Sequence, residues 1–179
     1  GNWGDALIHR GQVEFFKYFG INFYQISQDE LLKKLNNLKE NEKGIFLNEW
    51  LLIKGGGGAW CHNWNSSEFI NYCCDFFNQI IIMPSTYELP KIKENKSNIT
   101  YFARDKFLSK ETIPESIFCH DMAFFLKPPR FLNFSIIEEG NFFRTDIEKN
   151  NLQVIPQNNI DLGLSGSENS ETDLFFKNF

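Results

Sequence analysis

The sequence predicts an α/β protein with a Rossmann-like, doubly wound parallel sheet, and three observations carry that expectation. Short apolar runs alternate with helical patterns along the chain, and repeated strand-then-helix units return successive strands in parallel. A composition of 42% hydrophobic and 23% charged residues over 179 positions supports one substantial core. Four consecutive glycines, Gly55-Gly56-Gly57-Gly58, follow the apolar run Leu51-Leu52-Ile53-Lys54. In parallel sheets ligands gather where strands end, and a backbone without Cβ atoms can lie directly against them.

Each element has a local reason. From Ala6 to Phe19 a helix places Ile8, Gly11, Gln12, Phe15 and Phe19 on one face, and Gly20 stops it. Asn2, Gly4 and Asp5 precede that helix, where Asp5 either caps it or contacts a ligand. Ile21 to Ile26 reads as a strand, and Ser27 with Glu30 forms a capping box for a polar helix through about Leu38. The next strand covers Gly44 to Ile53. Asn65 and Glu68 cap a helix whose buried stripe is Phe69, Cys73, Phe76 and Phe77. Gln79 to Met83 is a strand closed by Pro84. A strand from Ile99 to Ala103, a short helix from Asp105 to Glu111 and a strand from Ser116 to Cys119 complete the alternation. Beyond Lys127 the pattern weakens into an Asn-rich, acidic stretch.

Composition excludes several classes. A net charge of −5 and a pI near 5.3 argue against a nucleic-acid-binding surface. No apolar run approaches the roughly 18 residues of a membrane span. Cys61, Cys73, Cys74 and Cys119 contain no CxxC pair and read as free thiols of a reducing compartment, which implies a cytoplasmic protein without a metal site.

Three loops converge on one sheet edge: the glycines, Pro84-Ser85-Thr86 and Arg104-Asp105. The glycines are either ligand contacts or a surface loop. Trp60, His62 and Trp64 either stack on a sugar face or pack beneath the loop. Ser85 and Thr86 either hydrogen-bond a ligand or stabilise a turn. Arg104 is either an anion fork or one half of an ion pair with Asp105. His120, beside Asp121 at a strand end, is the acid/base candidate, with a structural role as its alternative, whereas helix-borne His9 reads as structural.

Read in order, Gly1-Asn2-Trp3-Gly4-Asp5-Ala6-Leu7-Ile8, the glycine run, Met83-Pro84-Ser85-Thr86, Phe102-Ala103-Arg104-Asp105, Ser109, His120-Asp121-Met122-Ala123 and Phe143-Arg144-Thr145-Asp146-Ile147-Glu148 resemble the polysaccharide pyruvyl transferase family. The resemblance implies the N-terminal half of a two-domain fold like that of the B-type (GT-B-like) glycosyltransferases. Residues 1–140 would form a Rossmann-like domain lacking its first strand, and 141–179 the start of a truncated second one. The family's Arg-Leu-His motif does not occur in these 179 residues.

The implied activity is transfer of the pyruvyl group of phosphoenolpyruvate to two hydroxyls of a sugar as a cyclic ketal, in surface polysaccharide biosynthesis. Phosphoenolpyruvate is the donor substrate and no further cofactor is implied; the other partner is a saccharide or glycan precursor. His120 and Asp5 are the expected catalytic residues. Asn2, Gly4, Gly55, Gly56, Gly57, Gly58, Ser85, Thr86, Arg104 and Arg144 are the expected substrate contacts. Two alternatives are a nucleotide-sugar-dependent glycosyltransferase of similar architecture and a glycan-binding relative without turnover.

Overall fold

A computed structural model describes residues 3–41, 47, 49–62, 64, 66–92, 98–126, 152 and 154–157. Among them, helix α1 (Trp3–Tyr18) and helix α2 (Gln28–Asn41) precede strands β1 (Leu51–Lys54) and β2 (Gly57–Trp60). Helix α3 (Ser66–Cys73), strands β3 (Gln79–Tyr87) and β4 (Asn98–Ala103), helix α4 (Leu108–Thr112), strand β5 (Ile117–Phe118) and a 3-10 turn (Met122–Phe125) follow. All described strand pairings are parallel, in the order β1-β3-β4-β5, with β2 continuing the β1 side of β3.

The pleat of β3 divides the apolar residues between two faces. Ile80 and Ile82 join Leu31 and Leu35 of α2, Phe69, Ile70 and Cys73 of α3, and the adjoining Phe76 and Phe77. Ile81 and Met83 turn to the opposite face, against Ile8, Phe15 and Phe16 of α1 and Met122 of the 3-10 turn. The sheet is therefore covered on both sides, as parallel sheets require. A Cβ on Gly11 would stand 1.8 Å from the Met122 carbonyl oxygen, so only glycine lets α1 lie against the 3-10 turn.

Several sequence expectations hold. Gly20 adopts φ +64 after α1, and the Glu30 amide donates to Ser27 Oγ at 3.2 Å at the start of α2. The stripe Phe69, Cys73, Phe76 and Phe77 is buried.

Others are corrected. Ile21 to Ile26 is not a strand: Ile21, Phe23 and Tyr24 are exposed, and the Phe23 ring packs on Phe16 of α1, 5.2 Å between centroids, so aromatic contact with the helix replaces sheet pairing. Asp5 lies within the first turn of α1 rather than before the helix. Gly57 and Gly58 belong to β2 rather than to a loop. Pro84, Ser85 and Thr86 are interior to β3 rather than a turn beyond it. The helix expected from Asp105 begins at Leu108, and the last strand is confined to Ile117–Phe118. Asn2, Asn65, Arg144 and most of Gly44 to Leu47 and of 127–179 lie outside the described residues, as does the expected boundary at 140.

Pro84 survives inside a central strand because both neighbours yield there. The β1 register pairs Leu51 with Gln79 through Lys54 with Ile82, and the same offset brings Gly57 opposite Ser85. Gly56 therefore stands opposite Pro84, which has no N–H to donate, and the ladder lapses at that point. A Cβ on Gly56 would meet the Pro84 carbonyl oxygen at 2.4 Å, so glycine is required where the chains close up. On the other side the β3–β4 register shifts between Ile82 and Ser85.

Candidate functional site

The interruption between β1 and β2 forms the floor of the candidate site, and three side chains of other elements converge on its glycines. The position a Cβ would take on Gly55 is 3.3 Å from Gln12 Oε1, that on Gly57 is 3.6 Å from Asp5 Oδ1, and that on Gly58 is 3.6 Å from an Arg104 terminal guanidinium nitrogen. Gly57 itself adopts φ +128, a conformation that L side chains rarely take. Asp5 and Gln12, seven residues apart, reach down from α1, while Arg104 comes from the end of β4.

Arg104 is held in a fixed pose. Its Nε donates to Thr86 Oγ1 at 2.7 Å, and one terminal nitrogen donates to Asp121 Oδ2 at 3.0 Å. The other terminal nitrogen is the one beside Gly58. Thr86 thus orients the guanidinium from the neighbouring strand, and Asp121 fixes it from the segment after β5. Asp121 in turn accepts from the Ala123 amide at 2.9 Å, which caps the 3-10 turn. Arg104 pairs with Asp121 rather than with its sequence neighbour.

Asp105 serves the fold. It accepts hydrogen bonds from the amides of Phe107 and Ser109 at 3.1 and 3.0 Å and from the Ser109 hydroxyl. Desolvation pushes its pKa up, but those hydrogen bonds outweigh it and hold the carboxyl below the usual aspartate range. Ser109 Oγ also accepts from the Tyr87 amide at 2.9 Å, tying α4 to the end of β3.

Lys54, the last residue of β1, is half-buried. Burial pulls its pKa below the ordinary lysine value, and the negative charge of Asp5 opposes that shift. A desolvated ammonium and a carboxylate thus flank the break.

The remaining expected residues are distributed differently. Ser85 is buried and its hydroxyl donates to the Met83 carbonyl at 2.8 Å, so it faces its own strand. Gly4 lies in the first turn of α1. His120 is exposed, its ring between Phe118 and Phe124 at centroid distances of 5.5 and 6.0 Å. Trp60 is a core residue: it is 2% exposed, packs edge-on against Tyr87 and Tyr101, and its Nε1 donates to the Leu89 carbonyl at 3.1 Å.

Asp121 is legible in sequence only as the neighbour of His120 at a strand end. Lys54 and Gln12 are not among the site residues expected from sequence, where one adjoins the glycine run and the other lies on the packed face of the first helix. The cysteines are free thiols, and burial with the neighbouring Cys74 pushes Cys73 up to about 12. Among the described residues no cluster of three or more His, Cys, Asp or Glu could hold a metal ion, and no helix is long and apolar enough to cross a membrane.

Fold and site together define a parallel α/β protein with a glycine-floored site at the strand ends. No family model and no curated protein matches the sequence. The fold is similar to the crystal structure of a functionally uncharacterised protein from Klebsiella pneumoniae subsp. pneumoniae, with a TM-score of 0.64 and 22% identity. The match covers 99% of this chain and 65% of that protein, so the chain spans about two-thirds of its neighbour's length.

Proposed function

We propose that the protein is a pyruvyl transferase that moves the pyruvyl group of phosphoenolpyruvate onto two hydroxyls of a glycan sugar. The observation that supports this most is Arg104, tied through two of its nitrogens and presenting the third beside a backbone stripped of side chains. Phosphoenolpyruvate carries a phosphate and a carboxylate, and a fixed guanidinium beside close-approaching backbone is suited to such a group. The ordered blocks resembling the pyruvyl transferases support the same assignment.

The reaction balances without an oxidant or reductant. Two sugar hydroxyls add to the enol carbon and form two C–O bonds. The methylene carbon gains one of their protons and becomes the ketal methyl. The C–O bond to phosphate breaks, and inorganic phosphate leaves with the other proton. Deprotonating a hydroxyl calls for a base, and Asp5 at the break and His120 after β5 are assigned to proton transfer. Arg104 supplies the fixed positive charge that binds the anionic donor.

The test is release of inorganic phosphate from phosphoenolpyruvate by this chain and by the full reading frame that contains it, with and without β-galactoside and mannosamine-containing acceptors. Acceptor-dependent release is expected. Absence of release from both proteins, together with consumption of a nucleotide sugar, would replace this reading with a glycosyltransferase.

A further inference from the structure

Gln12 is 7% exposed, and its Nε2 has no hydrogen-bond partner. A buried donor without an acceptor is rare in folded proteins and marks a place where an oxygen belongs. The amide lies over Gly55, whose missing Cβ would stand 3.3 Å from Oε1 and 3.8 Å from Nε2. Asp5, two helical turns earlier on the same face, lies over Gly57. Helix α1 therefore presents a carboxylate and an orphaned amide to alternate residues of the strand break.

We propose that Gln12 is a ligand-binding residue which, with Asp5, forms a hydroxyl-binding subsite at the Gly55–Gly57 break; on the function proposed above, its occupant is the acceptor sugar. A hydroxyl meets both demands at once, donating to a carboxylate and accepting from an amide N–H. An anion meets only one, because Asp5 repels it. The phosphoenolpyruvate charges are thereby assigned to the Gly58 end, beside Arg104, and the sugar to the α1 end. Nε2 is enclosed while Oε1 is the nearer atom to Gly55, so a half-turn about χ3, which exchanges the two, brings the N–H to the Gly55 side.

Gln12→Leu keeps the size of the side chain and removes its hydrogen bonds. In calorimetric titration of the full-length protein with methyl β-galactoside, this variant is expected to bind at least tenfold more weakly than wild type. Its KM for that acceptor should rise in parallel, while kcat and the KM for phosphoenolpyruvate stay near wild type. The melting temperature of the unliganded variant should be equal or higher, because an unpaired buried donor has been removed. Gln12→Glu, which retains shape but replaces the amide donor with a second acceptor, should show the same loss if the leucine variant fails to fold.

Equal galactoside affinity in the variants, or no binding by wild type, overturns the proposal. So does a lowered melting temperature with unchanged KM, the signature of a buried water as the partner of Nε2. Galactoside binding that depends on Gln12 without any phosphate release sinks the transferase reading and leaves the subsite standing. Phosphate release whose acceptor KM ignores Gln12 does the reverse.

Discussion

Arg104 and Lys54 carry positive charge into the same site by different physical means. Arg104 is half-exposed and positioned by two hydrogen bonds, so its contribution depends on planar geometry. Arg104→Lys keeps the charge and loses the fork, and phosphate release is expected to fall on the order of 10²-fold with the fold intact. Steady-state kinetics alongside a melting curve checks both halves of that statement.

Lys54 is governed by desolvation. Its folded pKa lies below the ordinary value of 10.5, so the unfolded chain binds the proton more tightly than the native one. Its charge therefore opposes folding at neutral pH, and that penalty fades as pH climbs from the folded pKa to the unfolded one. Lys54→Met is accordingly expected to raise the melting temperature near pH 7, with a gain that shrinks as pH nears 10.5. Melting curves across alkaline pH test this, and a gain that grows with pH would contradict it. Neither the desolvated lysine nor the orphaned Gln12 amide is a local property: in sequence one is a polar strand end and the other a position on a helix face. Only tertiary packing gives them their chemistry.

Among the elements, the paired interruption of β1/β2 and β3 has the sharpest mutational signature. Gly56→Ala drives a methyl against the Pro84 carbonyl, backbone against backbone, and should destabilise the protein by about 2–3 kcal/mol. Gly58→Ala places its methyl at ordinary contact distance, 3.6 Å from the guanidinium. Stability should then change by less than about 0.5 kcal/mol, while phosphate release drops because the methyl covers the Arg104 nitrogen. Chemical denaturation and the phosphate assay separate the two outcomes.

These glycines also show which parts of the fold the sequence could convey. The Ser27–Glu30 cap and the Gly20 stop are short-range devices, legible because their partners lie within a few residues. Pro84 obeys a local rule that ends strands, and the structure evades it through Gly56, twenty-eight residues away by the β1–β3 register. Phe23 likewise carries strand propensity, but the partly buried Phe16 of α1 captures its ring. At Pro84 and Phe23 a tertiary partner overrode the local preference.

For the molecule as a whole, two cores share one sheet, and β3 contributes to both, as does its neighbour β1 through Leu52 and Ile53. Its residues Ile80 and Ile82 are each 1% exposed and are flanked by paired strands on both sides. Their amides should be among the slowest to exchange with solvent, opening only with global unfolding, whereas those of Ile21 to Ile26 should exchange quickly. Hydrogen exchange resolved by residue checks the order. The lapse at Gly55 and Gly56 bears on behaviour in concentrated solution as well. Among the described strands, β1 and β2 form an outer margin of the sheet, the kind of border along which one molecule can recruit another. Because the ladder halts after Lys54 and resumes only past Gly56, that border is cut into two four-residue pieces, too short to template a second chain. The irregularity beneath the candidate site therefore also blunts that one border against strand-by-strand pairing.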